Sequence, residues 1–395
     1  MSNFCFFTAY HPKTQNRCPP LPPPQNNQLI NSTLQKKPRN SNLELYRIIV
    51  MLLIVAHHYV VNSGLFGVLE SDTFSTSNTA MLLFGAWGKT GINCFIMITG
   101  WFMCKSNITP QKLFKLYAQI AMYAIIIYSI FCVTGHETPH PETALLKFFP
   151  VTSLNSGFTS CFLVFYLLIP FINKLISVIS KKELGTLISV LLFFYAILPN
   201  IPSFHLSFNY VTWFSILFII SAYIRFYGFP VNISHKNWGF ISLALILIAS
   251  SSVIMLTWMS KSGHMNAFIP YFFISDSNKF LALAIGLSSF MYFKDLKIPH
   301  SRLINAIGGT TFGVLLIHAN SDAMRQWLWK ETVDSMGHYS ESVWYSLGYA
   351  AATVLLVFVV CSGIDWFRGR LIEPKLAAWF DNLLSRKLIS KKANS

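Results

Sequence analysis

At 395 residues the chain has the length of two soluble domains, but 53% of it is hydrophobic and only 11% is charged. A soluble globular chain carries about a quarter charged residues, so this one cannot cover its surface with polar groups, and the composition excludes a soluble enzyme. The net charge of +15, from 30 basic and 15 acidic side chains, would suggest nucleic acid as partner in a soluble protein, but here the positions of the charges decide otherwise.

Residues 1–40 form a Pro/Asn/Gln-rich stretch with no apolar face to bury, and it reads as disordered. It offers only the Phe4, Phe6, Phe7 cluster where a secretory signal needs a longer apolar run. From residue 41 onward, a scan for runs of about 20 apolar residues gives ten spans: 44–62, 79–103, 112–134, 158–179, 184–199, 208–227, 237–258, 268–293, 303–321 and 343–366. The expected fold is therefore an all-α integral membrane protein of about ten transmembrane helices, a membrane domain over 41–370 followed by a basic tail at 371–395. Basic residues near the span ends number 21 on the side of the termini and four on the other, which by the inside-positive bias puts both termini in the cytoplasm. Cys5, Cys18, Cys94, Cys104, Cys132, Cys161 and Cys361 are scattered without a CxxC pair, so neither a disulfide framework nor a metal site is expected.

An ionisable group inside a span is costly unless paired or hydrated, which makes each one a functional candidate. The first span carries Glu44, Arg47, His57 and His58. Arg47 and His58 are eleven residues apart, within roughly 20° of the same helix face and separated by about 16 Å of rise. One face thus presents a cation near the cytoplasm and an imidazole toward the outer leaflet, and Glu44 can pair with Arg47 at three residues' spacing. A plainer reading makes Arg47 an interfacial anchor neutralised by Glu44, with the histidines marking the span's outer boundary.

In the second span Gly91 and Gly100 permit close helix approach, and Asn93 and Thr99 can hydrogen-bond between helices. Packing alone accounts for them equally. Lys112 and Lys115 open the third span on one face and can hold phosphates, although inside-positive bias also places lysines there. The loop His136-Glu-Thr-Pro-His140 has the look of metal spacing, but Pro139 and Pro141 break the helix that would align the two rings. Late in the chain, Thr311-Phe312-Gly313 runs outward to His318, at the depth of His58. Two imidazoles meeting at one depth suit activation of a hydroxyl, because neutral imidazole is the side chain matched to general-base work near pH 7. Trp327, Trp329, Tyr339, Trp344 and Tyr345 can stack on sugar rings or belong to the interfacial aromatic belt.

Taken together these stretches resemble acyltransferase family 3, ten-span bacterial membrane enzymes that O-acylate surface polysaccharides. The resemblance covers roughly residues 40–385. It rests on Glu44, Arg47 and His58 with ten residues between the last two, on the aromatic-rich run ending Thr99-Gly100-Trp101, and on Lys112 and Lys115 where the family usually has arginine. Thr311-Phe312-Gly313 through Leu316-Ile317-His318, Leu163–Pro170 and Ile364-Asp365-Trp-Phe-Arg368 complete the set. Asn93 stands where many members have Asp, and Ala319 follows His318 where an acid is common, with Asp322 one turn later as a substitute.

The resemblance implies transfer of an acyl group, acetyl in the first instance, from cytoplasmic acyl-CoA as co-substrate to a glycan hydroxyl outside the bacterial inner membrane. It makes His58, Glu44 and His318 the catalytic candidates, assigns Arg47, Lys112 and Lys115 to the donor phosphates, and gives Asn93, Thr99 and Gly100 supporting roles. The glycan acceptor, the bilayer and proteins of polysaccharide synthesis are the implied partners, and no permanently bound cofactor is expected. The competing class is a transporter of lipid-linked sugar, in which the same His and Arg line a pathway without covalent chemistry.

Overall fold

In a bilayer every backbone N–H and C=O must be satisfied within the protein, which leaves helices as the way for an apolar chain of this kind to cross. The computed structural model describes residues 40–151, 157–201, 208–340 and 342–393, and among these every regular element is helical. The disordered reading of the amino-terminal stretch falls outside the described residues, apart from Asn40.

Helix α1 (Ser41–Val61) is followed by the short α2 (Leu65–Ser71). Next come α3 (Thr76–Gly85), started by Ser75 accepting from the Asn78 N–H, and α4 (Gly88–Met103), together one traverse. Thr109 caps α5 (Pro110–Val133), whose first residue is a proline, the position where a missing N–H costs nothing. After α6 (Pro141–Lys147) and α7 (Phe158–Val178), a Ser180–Glu183 capping box starts α8 (Lys181–Leu192), which continues as π-helix to Ile197. Side chains of Asn209 and Ser234 cap α9 (Tyr210–Tyr227) and α10 (His235–Lys261). The late elements are α11 (Phe280–Asp295), α12 (Arg302–Gly308), α13 (Thr311–His318), α14 (Asp322–Gln326), α15 (Val343–Leu371) and α16 (Glu373–Ala393).

Among the described residues eight helical stretches are long and apolar enough to cross a membrane, or nine with the bent α12–α14 segment. The helix ends sort into two faces by their contacts. At the basic face Asn42 donates to the carbonyls of Phe293 and Lys294 at 2.9 Å, Asn173 donates to the Met103 carbonyl at 3.2 Å, and Arg225 lies 4.1 Å from the Trp101 ring centroid. At the opposite face Ser77 donates to the Ser340 carbonyl, Tyr271 to that of Leu82, and Lys261 binds the carbonyls of Glu70 and Asp72. Helix α11, at 16 residues, is shorter than any of these stretches, and Asn42 of α1 ties its end to the basic face.

Two of the expected spans take a different form. Residues 268–279 of the eighth form turns and bends, with Pro270 within them, so its helix starts only at Phe280. Its 16 residues span about 24 Å. The ninth, expected as one helix over 303–321, breaks at Gly309 and then turns by 97° after His318. The sequence Asn320-Ser321-Asp322 explains the turn. The Asn320 amide caps the Leu316 carbonyl at 2.9 Å, and Ser321 accepts from the Met324 N–H to start α14. The basic tail expected after residue 370 is helical through α16, which stacks Phe380 on Phe114 of α5 with ring centroids 4.1 Å apart.

Helix α4 sits against α1, α9 and α11. Small residues set these distances: a β-carbon on Gly100 would lie 2.8 Å from Ser221 Cβ, and one on Gly88 would lie 2.3 Å from the His57 ring. The close approach of α4 to α1 fixes where His57 and His58 point.

Candidate active site

The far end of α1 and the last residue of α13 meet. His58 Nδ1 lies 2.9 Å from His318 Nε2, and His318 Nδ1 lies 2.6 Å from the carbonyl oxygen of Val314. A carbonyl oxygen only accepts, so His318 Nδ1 carries the proton. In the neutral ring Nε2 is then an acceptor, and it takes its hydrogen bond from His58 Nδ1–H. The lone pair of His58 therefore lies on Nε2. One backbone carbonyl thus sets the tautomers of two rings in series, holding the outer imidazole as a base. His318 is fully buried, with Trp329 edge-on to it at 6.3 Å and Tyr59 edge-on to Trp329 at 6.0 Å. His57 is held separately, its Nδ1–H donated to the Gly85 carbonyl at 2.6 Å.

His57 and His58 line a cavity of about 710 Å³ at the face opposite the basic one. The cavity floor is apolar, from Ile54, Ile92, Leu315 and Leu316, while Lys89, Glu137, Lys147, Asp322 and Arg325 stand around it. Such a volume fits a sugar-sized ligand, and few-point polar contacts on apolar walls are typical of small-molecule sites. Tyr210, also in the cavity lining, accepts a hydrogen bond from Lys89 Nζ at 3.1 Å.

The remaining predicted residues lie elsewhere. Glu44, fourteen residues before His58 and so about 21 Å away along α1, is buried at the basic face. There Arg47 binds both its carboxylate oxygens, at 3.0 and 3.2 Å. The Arg47 guanidinium lies 5.9 Å from the Phe102 ring, near the end of α4. The ammonium of Lys112 binds Ser106 Oγ and the Asn107 carbonyl in the adjoining turn, and that of Lys115 pairs with Glu373 at 2.5 Å.

The structure thus brings His58 and His318 together, and puts Glu44, Arg47, Lys112 and Lys115 at the other face. Asp322 does not stand in for an acid behind His318. Its side chain is exposed and pairs with Arg325 at 2.6 Å, because the turn at Asn320 carries it away from α13.

Asn93, Thr99 and Gly100 are occupied in packing. Asn93 is fully buried, its amide donating to the Ser277 carbonyl at 2.7 Å while its oxygen accepts from Trp213 Nε1 at 2.8 Å. Thr99 bonds the Phe95 carbonyl of its own helix, and Gly100 admits α9. An Asn93→Ala change leaves two buried polar groups unsatisfied, each costing about 1–3 kcal/mol. Its thermal unfolding midpoint in detergent should fall well below the parent's, and an unchanged midpoint would contradict this role.

The family profile described as Acyltransferase domain (Acyl_transf_3) matches residues 40–362, most of the chain. The chain belongs to acyltransferase family 3. It is a multi-pass membrane acyltransferase, and no curated protein and no solved structure matches it.

Within this acyltransferase, Lys89, which the motifs pass over, and Asp365, from the Ile364–Arg368 motif, complete the polar frame. Lys89 stands in the cavity wall between Tyr210 and Asp276, the latter 3.5 Å away. A lone lysine inside a predicted span was visible in the sequence; its partners, over a hundred residues distant, were not. Asp365 is almost fully buried on α15. Its Oδ1 accepts from Tyr123 OH at 2.9 Å, Gln119 Nε2 at 3.0 Å and Arg368 Nε at 2.7 Å. A β-carbon on Gly313 would lie 2.1 Å from its Cγ, so α13, which carries His318, packs directly on this carboxylate.

Proposed function

We propose that this family 3 acyltransferase moves an acyl group, acetyl by preference, from cytoplasmic acyl-CoA to a hydroxyl of a surface polysaccharide or lipid-linked glycan outside the bacterial inner membrane. The observation that carries the reading is the Val314–His318–His58 hydrogen-bond series, which leaves an unprotonated His58 Nε2 beside a cavity of about 710 Å³. The inside-positive bias supports taking the basic face as cytoplasmic, which makes the cavity face the acceptor's side.

His58 Nε2 takes the proton of the acceptor hydroxyl as that oxygen bonds the thioester carbonyl carbon. The carbon–sulfur bond then breaks, and the thiolate recovers the proton from the His58 imidazolium. Positive charge arising on His58 is shared with His318 through their hydrogen bond, much as a triad's third member steadies its imidazolium. The donor's phosphates bind at the basic face, where Arg47, Lys112 and Lys115 stand around the end of α4 and the start of α5, because charge-assisted contacts to phosphate are strong. The donor's arm then reaches along α1 over the roughly 16 Å between Arg47 and His58.

Sidedness tests this reading. In sealed vesicles of known orientation, acetyl-CoA labelled in its acetyl group should yield labelled glycan only when supplied at the basic face, with the label appearing on the opposite side. Label transfer independent of the side of supply would contradict it. Glycan movement without acetyl-CoA consumption would favour a transporter.

A further inference from the structure

At the basic face two cations from different helices grip one carboxylate of the chain itself. Glu373, in the first turn of α16, has Oε1 at 2.5 Å from Lys115 Nζ of α5 and Oε2 at 2.9 Å from the Arg368 guanidinium of α15. Arg368 does not hang free to reach it. Its Nε is fixed at 2.7 Å by the buried Asp365, which Gln119 and Tyr123 hold in turn, so the guanidinium is aimed at the face before Glu373 arrives. Only Ile372 separates α15 from α16, so the Glu373 carboxylate follows Arg368 closely in the chain and meets Lys115 across the face. Beside it, Lys115, Arg368, Glu373 and the stacked Phe114 and Phe380 line a small cleft of about 30 Å³ between α5 and α16.

We infer that Lys115 and Arg368 form a phosphate-binding site whose occupant in the resting protein is the Glu373 carboxylate, and that a phosphate group of the acyl donor displaces it. The inference rests on the acyl-CoA reading above and adds Arg368 as a donor-binding residue. A carboxylate held by an aimed guanidinium and a second ammonium has the charge and bidentate geometry that these groups also offer to phosphate. The buried Asp365 accounts for the aim: a guanidinium meant only to pin Glu373 would not need a second acid, held by two further donors, behind it. The same chemistry would serve the phosphate of an anionic lipid headgroup, so the source must be separated by experiment.

The full-length protein in non-ionic detergent is titrated calorimetrically with CoA, and separately with a short-chain phosphatidylglycerol, alongside Glu373→Gln and Arg368→Gln. Glu373→Gln removes the competing charge while keeping the side chain's shape, and should tighten CoA by about tenfold, whereas Arg368→Gln should weaken it by about tenfold. A purely structural pairing predicts the reverse for Glu373→Gln, no tightening and a lower unfolding midpoint. CoA binding by the parent that is unchanged in Glu373→Gln overturns the inference and leaves the acyl-CoA reading standing, even if Arg368→Gln fails to fold. Tightening of the lipid but not of CoA overturns the assignment to the donor. Absence of CoA binding from all three proteins, with no acetyl-CoA consumed by the parent, overturns the acyl-CoA reading and this inference with it.

Discussion

His58→Ala should lower the turnover of acyl transfer by about 10²- to 10⁴-fold, the range a positioned general base supplies, with the protein still inserted at parental levels. The size of the effect follows from the hydrogen-bond series. Val314 fixes the His318 tautomer and His318 fixes that of His58, so the lone pair of this cavity-lining ring is on Nε2, the nitrogen that His318 does not occupy. No neighbour replaces it. His57 lines the same cavity, but its Nδ1 is tied to Gly85 and the β-position of Gly88 abuts its ring, so it cannot turn into the place of His58. His57→Ala should therefore be much the milder change. Comparison of kcat at matched membrane content, with acceptor saturating, checks both, and comparable turnover in His58→Ala and the parent would remove His58 from the chemistry.

The second large effect belongs to His318, which acts on the reaction through His58 and is a positioning residue. His318→Ala removes the acceptor for His58 Nδ1–H and leaves a void beside Trp329, so the base loses both its orientation and the partner that shares its charge. The expected loss in kcat is about 100-fold, with KM for the donor little changed, because the donor phosphates bind at the other face. His318→Gln can still present an oxygen to His58 Nδ1 and should recover part of the rate.

The pH profile separates this role from packing. A proton added to the pair occupies His58 Nε2 and removes the base, so the rate falls as the pH is lowered. His318→Gln, which takes one of the two titrating rings away, should move that acid limb. An acid limb identical to the parent's, in a variant of lowered rate, would reduce His318 to a packing residue.

Much of this site could be read before the fold was known, and the reason is geometric. Arg47 and His58 lie on one straight helix, where spacing alone gives their shared face and separation, and His318 ends an outward-running span at a depth that can be counted. Where the helix is interrupted, counting fails. The turn after His318 depends on how Asn320 and Ser321 satisfy local backbone groups, and it removes Asp322 from any role behind the imidazole. Residues 268–279 fall within the expected eighth span, yet Pro270 lies among turns and bends that delay the helix to Phe280.

Polar residues inside spans were legible as exceptions but not by purpose. Asn93 resembles a site residue in the sequence and is a structural tie between α4, α9 and the turn at Ser277, whereas Lys89 is joined to Tyr210 and Asp365 to Tyr123, partners no spacing could reveal. The Lys115–Glu373 pair illustrates the same limit. Inside-positive bias explains why a lysine stands at that face, but the carboxylate that meets it comes from a helix more than 250 residues further along.

The most direct test of the account is the release of CoA thiol from acetyl-CoA, coupled to glycan acetylation, by purified parent and His58→Ala in vesicles that carry the native acceptor. The account predicts stoichiometric thiol release and acetylation by the parent, and loss of both in His58→Ala with CoA binding retained. Equal thiol release by the two proteins would contradict His58 as the base, and acceptor movement with no thiol released by either would contradict acyl transfer itself.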